Sequence, residues 1–542
     1  MEGRLRRIQG QGLVMTDFTF GEKEKMQTGK KIPAEARLLA GTESPTSEAW
    51  EPFAADTVGF LDAFSKALRG DARACMDPET MALAFWCRRA HLETLRRRHF
   101  REKPAVRPAD REGRPLAAAG SAQRKTGLSG SEEPTVEDGG HSGTAGSGRM
   151  GRGLLFHLAP ANVPMMFVYT WAIGLLAGNA GIVRISERTI RMEAVRDLLR
   201  VLNGLLDREE YEKIRARISL ITYEHDDALT EEILSHCDGR ILWGGDETIR
   251  QMRRIPMPPR AVELAFPDRV SLAVIREAGL KKLDDDAVCN LVHRFYNDTY
   301  VMDQNGCSSP QTVIWLRDPG TDPGTKAGPR VQVEGGSAHI SGMVSGEIKE
   351  TGTGDECAPA SPADGSGQGV REKWWELLAQ EAEAAYELDG FRAARKLEKA
   401  ALAVMREAPQ APQRQSVQAG EAPQAPHVQV TAIRRFHGNA LYVLRLSELP
   451  PDLAGYRGGF GLFYEAEAET EDDIFRSFSD RIQTVVCVGV EPAKIAAAAA
   501  RAHSAGVLRF VEAGQALQMD TVWDGIDLIA ALSRRTGEGP DL

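Results

Sequence analysis

The chain has 542 residues, too many for one small domain, so two or three domains are expected. Hydrophobic residues make up 42% and charged residues 27%, the composition of an ordinary globular protein. Its 67 basic and 77 acidic side chains leave a formal net charge of -10, which argues against nucleic acid as the main partner, because phosphate binding needs a basic face.

The first residues, MEGRLRRIQGQGLVMTDF, lack the apolar core of a signal peptide. Residues 1–50 carry no sustained period. From Thr57 to Phe100 the pattern turns helical, so residues 1–102 read as an N-terminal helical region. Arg88, Arg89, Arg96, Arg97 and Arg98 gather toward its end, where cations suit a helix C-terminus, and a solvated face is the simpler reading than an anion site. Residues 103–150 are rich in Gly, Ser, Pro, Ala and charge, the composition of a linker or disordered insertion.

The stretch from Gly153 to Val183 is long and apolar enough to be mistaken for a membrane span. Pro160, Asn162, Pro164, Gly174, Gly178 and Asn179 instead divide it into a buried strand, a tight turn, a buried helix and a second strand. A helix through RTIRMEAVRDLLRVLNGLL, a strand at RISLITYE, a helix near ALTEEILSHC and a strand at RILWG follow. This alternation predicts an open parallel sheet covered by helices over 151–262. A second such domain is expected over 263–530, with low-complexity inserts near 319–370 and 408–428 and a tail at 531–542. After residue 428 it resumes with strands at VTAIRR, ALYVLRL and GLFYEAE, a helix at EDDIFRSFSDRI, the strand TVVCVG, a helix at EPAKIAAAAARA and the strand GVLRFVEA.

Seven cysteines at 75, 87, 237, 289, 307, 357 and 487 form no CxxC pair and no zinc spacing, so no metal site is expected and a reduced, cytoplasmic protein is the economical reading. Cys307 stands apart. Gly306 precedes it and Ser308, Ser309 and Pro310 follow, whereas a packing cysteine sits in an apolar run. At a helix-to-strand junction its thiolate could act as a nucleophile in acyl transfer. His293, on the preceding helix, is a candidate neighbour that sequence cannot place. In APANVP, Ala159 to Pro164, two prolines fix a turn around Asn162, whose amide could point at an oxyanion or simply cap the next helix. GNAGIVRISE brings Arg184 and Glu187 to the C-terminal end of a strand, where open α/β sheets bind nucleotides; a surface ion pair is the alternative. Gly244 and Gly245 join a buried strand to a helix, a turn able to receive pyrophosphate without being a GxGxxG fingerprint. Glu263 is a candidate base or, more simply, a structural anchor.

Taken in order, ALAFWCRRAHL, FHLAPANVP, GLLAGNAGIVRIS, ILWGGDETI, DQNGCSSPQTVIW and WDGID (Trp523 to Asp527) resemble landmarks of the acyl-CoA reductases typified by the fatty acid reductase of bacterial luminescence, within the aldehyde dehydrogenase superfamily. The resemblance covers most of 50–535 outside the low-complexity tracts. It implies an aldehyde dehydrogenase-like α/β fold of two open, mostly parallel sheets, one for the cofactor and one for catalysis. It implies Cys307 as nucleophile and Asn162 as oxyanion donor. Arg184 and Glu187 fall at the adenosine ribose, and Gly244 and Gly245 near the pyrophosphate, of NADPH or NADH. Arg184 replaces the superfamily's usual Lys. The implied substrate is a fatty acyl-CoA or acyl-protein thioester, with an acyl-protein synthetase as a plausible partner and a homo-oligomer as the expected state. Glu263 lies near the superfamily's general-base strand; a reductase has no use for a water-activating base, because water would consume its acyl-enzyme. An oxidative aldehyde dehydrogenase and a catalytically idle acyl-binding scaffold are the alternatives.

Overall fold

A computed structural model describes residues 31–100, 148–160, 163–317, 332–334, 369–406, 428–504, 506 and 509–536. The expected linker at 103–150 and the inserts near 319–370 and 408–428 fall almost wholly outside them, as do Cys357 and Asn162.

Two sheets carry the described fold. The first has six strands in the order Arg37–Gly41, Ile218–Thr222, Ala180–Arg184, Leu154–Leu158, Gly239–Trp243 and Val262–Phe266. All pairings are parallel except that of the Arg37–Gly41 edge strand with Ile218–Thr222. The second has eight, in the order Gln332–Glu334, Val430–Phe436, Leu441–Leu446, Leu462–Ala468, Pro310–Leu316, Val270–Arg276, Ile482–Val488 and Arg509–Glu512. Its one antiparallel pairing joins Val430–Phe436 to Leu441–Leu446. The expected α/β class with two open, mostly parallel sheets is what the chain forms.

Three differences from expectation are long-range. The N-terminal region is not helical throughout: its residues 37–41 form an edge strand of the first sheet, paired with residues near 220. The first sheet runs on to Phe266, past the boundary expected at 262, so Glu263 belongs to that sheet. Ser533–Arg535 is not a free tail but pairs with Arg149–Gly151 beside the first sheet. The helices Val370–Ala385 and Gly390–Arg406, flanked by low-complexity tracts, had no predicted counterpart; Trp374 and Trp375 of the former are fully buried in the second core.

The would-be membrane segment shows how local sequence fixes this architecture. Leu154–Leu158 is buried at every position, as a central parallel strand must be. After Pro164 the chain enters the helix Met166–Leu176, apolar on all sides and buried at all its residues. Gly178 ends it with φ +88, and a Cβ there would stand 2.1 Å from Trp50 O, so only glycine fits. Trp171 lies at the centre of this core, and Trp171→Ala would cost about 3–5 kcal/mol. Among the described residues no helix is long and apolar enough to cross a membrane.

Candidate active site

The parallel strands of the first sheet bring three predicted motifs to one carboxyl edge. Leu154–Leu158, which leads into Ala159 and the APANVP turn, lies between Ala180–Arg184 and Gly239–Trp243. Arg184 and Gly244 therefore lie at strand ends on either side of Leu154–Leu158. The strand order reverses here, and such a switch point is where open α/β sheets leave a crevice for a ligand.

Arg184 is half-committed. Its Nη2 donates to Tyr223 O at 3.1 Å and its guanidinium lies 4.6 Å from the Tyr223 ring centre. Its Nε is buried without a partner, a donor that a ribose phosphate or hydroxyl could satisfy. Glu187 accepts from Arg37 Nη2 at 3.0 Å and from Thr222 Oγ1 at 3.3 Å. The Arg37 hydrogen bond holds its carboxyl below the ordinary range. At the glycine turn, Gly245 has open space where a Cβ would stand, while Gly244 would meet the Thr248 side chain at 3.3 Å. Asp246 and Glu247 fill the first helical turn after them and already complement its dipole.

Glu263 is an anchor in its geometry. It sits opposite Arg240 across the parallel ladder, takes the Arg240 guanidinium at 2.6 Å and receives Arg253 Nε at 2.8 Å. Burial pushes its carboxyl up, but the Arg253 and Arg240 hydrogen bonds outweigh that and hold it low. A carboxylate occupied by two guanidiniums is a poor proton acceptor.

Cys307 lies on the loop between the short helix Tyr300–Met302 and the strand Pro310–Leu316. Residues just before the cysteine, Asp303 and Gln304, hold the loop in place. Asp303 and Gln304 adopt left-handed backbone, φ 53 and 56. Asp303 pairs with Arg392 at 3.1 Å and accepts from Tyr386 Oη at 2.5 Å. Gln304, almost wholly buried, donates to Pro310 O at 3.2 Å and Leu462 O at 3.3 Å and accepts from Gly461 N at 2.8 Å. Ser271 Oγ donates to Cys307 O at 2.7 Å and accepts from Thr484 N at 3.1 Å, tying the cysteine to two neighbouring strands.

The cysteine sits at the amino end of its strand, and its partly buried side chain packs against the core of the first sheet, together with Met302. The WDGID segment bridges the two sheets. Val522–Trp523 and Ile526–Asp527 form a hairpin whose turn residues, Asp524 (φ 48) and Gly525 (φ 72), are the Asp-Gly pair favoured in such turns. Trp523 packs edge-on to Trp243, ring centres 6.3 Å apart, and Trp243 directly precedes the glycine turn. Beside the hairpin is a cavity of about 190 Å³ lined by Gln483, Arg509, Asp520, Trp523 and Asp524, among others. Burial and then the Asp524 charge push the Cys307 thiol up to about 11, with Asp268 adding to them and Gln483 opposing.

His293 is elsewhere, bound to Glu381 at 2.9 Å on an exposed helix face, so it forms no pair with Cys307. Sequence reasoning missed Gln483 and Asp524, although the Asp-Gly turn was visible, and it missed Glu79. Burial first, then Asp77, pushes the Glu79 carboxyl up to about 7, although it accepts from Met165 N at the end of the APANVP turn. Among the described residues no cluster of His, Cys, Asp and Glu could hold a metal ion.

Residues 143–323 match the family model described as acyl-CoA reductase (LuxC), a span holding every predicted site residue. The chain is similar to the long-chain acyl-protein thioester reductases of Aliivibrio fischeri, 27% identical over 169 residues, and Vibrio harveyi, 29% identical over 173 residues. Each match covers 31% of this chain and 33% of the relative, so the chain matches about a third of the length of these relatives. Among solved structures it is similar to lactaldehyde dehydrogenase from Escherichia coli, with TM-score 0.46, 10% identity and coverage of 85% of this chain and 78% of that one. It is also similar to a mutant proline utilization A from Bradyrhizobium japonicum, with TM-score 0.43, 13% identity and coverage of 84% and 38%.

Proposed function

We propose that the protein is an acyl-thioester reductase that forms an acyl-Cys307 intermediate and releases a fatty aldehyde. The observation that carries this reading is the setting of Cys307: a thiol on a loop pinned by Asp303 and Gln304 and packed against the core of the first sheet. The match to acyl-CoA reductases over 143–323 and the names of the two relatives support the same chemistry.

In this mechanism Cys307 attacks the thioester carbonyl and the donor thiol leaves. Asn162, in the sequence between the strand Leu154–Leu158 and the helix Met166–Leu176, donates to the oxyanion, a contribution of about 100- to 1,000-fold in rate. A nicotinamide cofactor, when bound, would supply the hydride equivalent for reduction of the acyl group to aldehyde. Arg184 and Glu187 hold the ribose end of that cofactor, with NADPH favoured over NADH because the unpartnered Arg184 Nε suits a phosphate. Glu263, tied to Arg240 and Arg253, activates no water, which preserves the acyl-enzyme for reduction rather than hydrolysis.

Cofactor oxidation with acyl-CoAs of graded length, and with an acyl-protein thioester, tests the reading. Aldehyde formation that Cys307→Ala abolishes while cofactor binding persists is the expected result. Acid released from aldehyde and water would instead identify an oxidative dehydrogenase.

A further inference from the structure

The second sheet has a crevice of its own, at the edge away from Cys307. The strands Pro310–Leu316, Val270–Arg276, Ile482–Val488 and Arg509–Glu512 lie side by side and parallel. Cys307 precedes the amino end of the first, so the carboxyl ends lie across the sheet, about 20 Å off for strands of this length. From Val270–Arg276 the chain leaves through the helix Asp285–Thr299 to the strand on one side. From Ile482–Val488 it leaves through the helix Pro492–Arg501 to the strand on the other. The two helices cover opposite faces: Val288 and Val292 share a core with Ala273 and Ile275, whereas Ile495 and Ala498 share one with Leu272 and Val274. Adjacent parallel strands whose connections diverge in this way form the switch point at which open α/β sheets take ligands. A cavity of about 690 Å³ opens there.

Two turns meet in this crevice: a Cβ on Gly279 would stand 1.9 Å from Gly489 O, and Gly489 has φ +67. Arg276, Lys282, Arg294 and Lys494 line the cavity, with Glu471, Glu491 and Glu512. Glu471 is hydrogen-bonded to Arg276, and Glu491 lies 3.9 Å from Lys494. Lys282 and Arg294 enter no ion pair among the described residues, and Arg276 Nε and Arg294 Nε are buried without a hydrogen-bond partner. Unmatched cationic donors therefore outnumber unmatched carboxylates, which suits an anion. The unit from Ile482–Val488 through Gly489 and Pro492–Arg501 to Arg509–Glu512 is a parallel βαβ crossover. It ends on a carboxylate, Glu512, about 20 residues past its glycine turn, the place from which nucleotide-binding βαβ units engage a ribose hydroxyl. The turn has a single glycine and then Pro492, not a GxGxxG fingerprint, so side-chain cations rather than backbone N–H groups must hold a phosphate here. We propose that this crevice is a second ligand site, separate from the first sheet, for a nucleoside phosphate. Lys282 and Arg294 take the phosphate, Glu512 accepts from the ribose, and the apolar wall of Leu283, Leu291 and Val490 receives the base.

This inference does not depend on the reductase reading, and its test uses the whole chain with ADP and inorganic pyrophosphate as probes. Hydrogen exchange read by mass spectrometry separates the two sheets. ADP should slow exchange over residues 277–283 and 487–494, whatever it does near Arg184 and Gly244. Arg294→Gln should raise the ADP concentration needed for that protection about tenfold, the effect of losing one charge-assisted hydrogen bond. Lys282→Gln, at an exposed position, should do the same and decides the question should Arg294→Gln fail to fold. Glu512→Gln should weaken protection by ADP but not by pyrophosphate. ADP protection confined to the first sheet would overturn the site. Protection over 277–283 and 487–494 that neither cation variant weakens would overturn the phosphate contact. An equal response of both probes to Glu512→Gln would overturn the nucleoside assignment. Thioester reduction assayed on the same preparation reports the other reading separately.

Discussion

Gln304 is the side chain on which the geometry of the Cys307 loop most depends. It sits three residues before the cysteine, in left-handed backbone, with only 2% of its surface exposed. Its amide donates to Pro310 O on one side and Leu462 O on the other, and its oxygen accepts from Gly461 N at 2.8 Å. Gln304→Leu keeps the approximate volume and the same backbone strain but removes all three bonds. An orphaned buried donor or acceptor costs about 1–3 kcal/mol. The carbonyls at 3.2 and 3.3 Å belong at the low end of that range, and the Gly461 N–H at or above it, so the expected destabilisation is about 3 kcal/mol. Urea unfolding read by tryptophan fluorescence, at constant m, measures it. Alkylation of Cys307 should accelerate in parallel, because the loop loses its tie to the strand Leu462–Ala468. A loss below about 1 kcal/mol, with unchanged alkylation, would refute the idea that this glutamine organises the loop.

Other predictions concern the surrounding groups. Glu263→Gln should leave thioester reduction unchanged and cost about 1 kcal/mol of stability, since the Arg240 and Arg253 contacts lie at a partly exposed strand; a collapse of turnover with the fold intact would make Glu263 catalytic after all. Arg184→Ala should raise the KM for NADPH by about tenfold with a smaller effect on NADH, one charge-assisted hydrogen bond being worth about 1.5–3 kcal/mol; equal effects on both cofactors would remove the phosphate role. Glu467 pairs with Arg317 at 2.7 Å, Arg445 at 2.6 Å and Arg371 at 2.5 Å. Burial alone would raise its carboxyl, but the Arg317 and Arg371 hydrogen bonds carry it down from 4.5 to about 2. Its stabilisation is therefore complete above the ordinary value of 4.5 and lost as pH falls toward about 2. Glu467→Gln should flatten the acid limb of a stability-against-pH curve over that window, and an unaltered limb would contradict the assignment.

The parts of this protein legible in its sequence are those written locally. Apolar runs bounded by Pro and Gly reveal Leu154–Leu158, Met166–Leu176 and Ala180–Arg184, because a central parallel strand and a fully buried helix need continuous apolar surface. The Gly, Ser and Pro around Cys307 mark a loop for the same reason that Asp303 and Gln304 can turn left-handed there. What was not legible depends on distant pairing. Nothing in the residues at 37–41 announces an edge strand, since its partner lies near residue 220. The helix EDDIFRSFSDRI was read too long: only Glu471–Ile474 is α-helical, capped by Thr470 and followed by a short 3₁₀ turn. Glu263 could be read as a base until Arg240 and Arg253 were seen on it. Gln483 has no sequence signal, being one of two adjacent polar residues, with Thr484, in the strand Ile482–Val488, and its hydrogen bond to Asp524 is a contact that only the fold brings about.

The most direct test of the central claim is to trap the intermediate. Incubating the protein with a long-chain acyl-CoA and no nicotinamide, then digesting it for mass spectrometry, should give one acyl group in thioester linkage on the peptide containing Cys307. Adding NADPH should discharge that group as aldehyde in equal amount. An acyl group that never forms on Cys307, or that leaves as free acid when NADPH is added, would contradict the account.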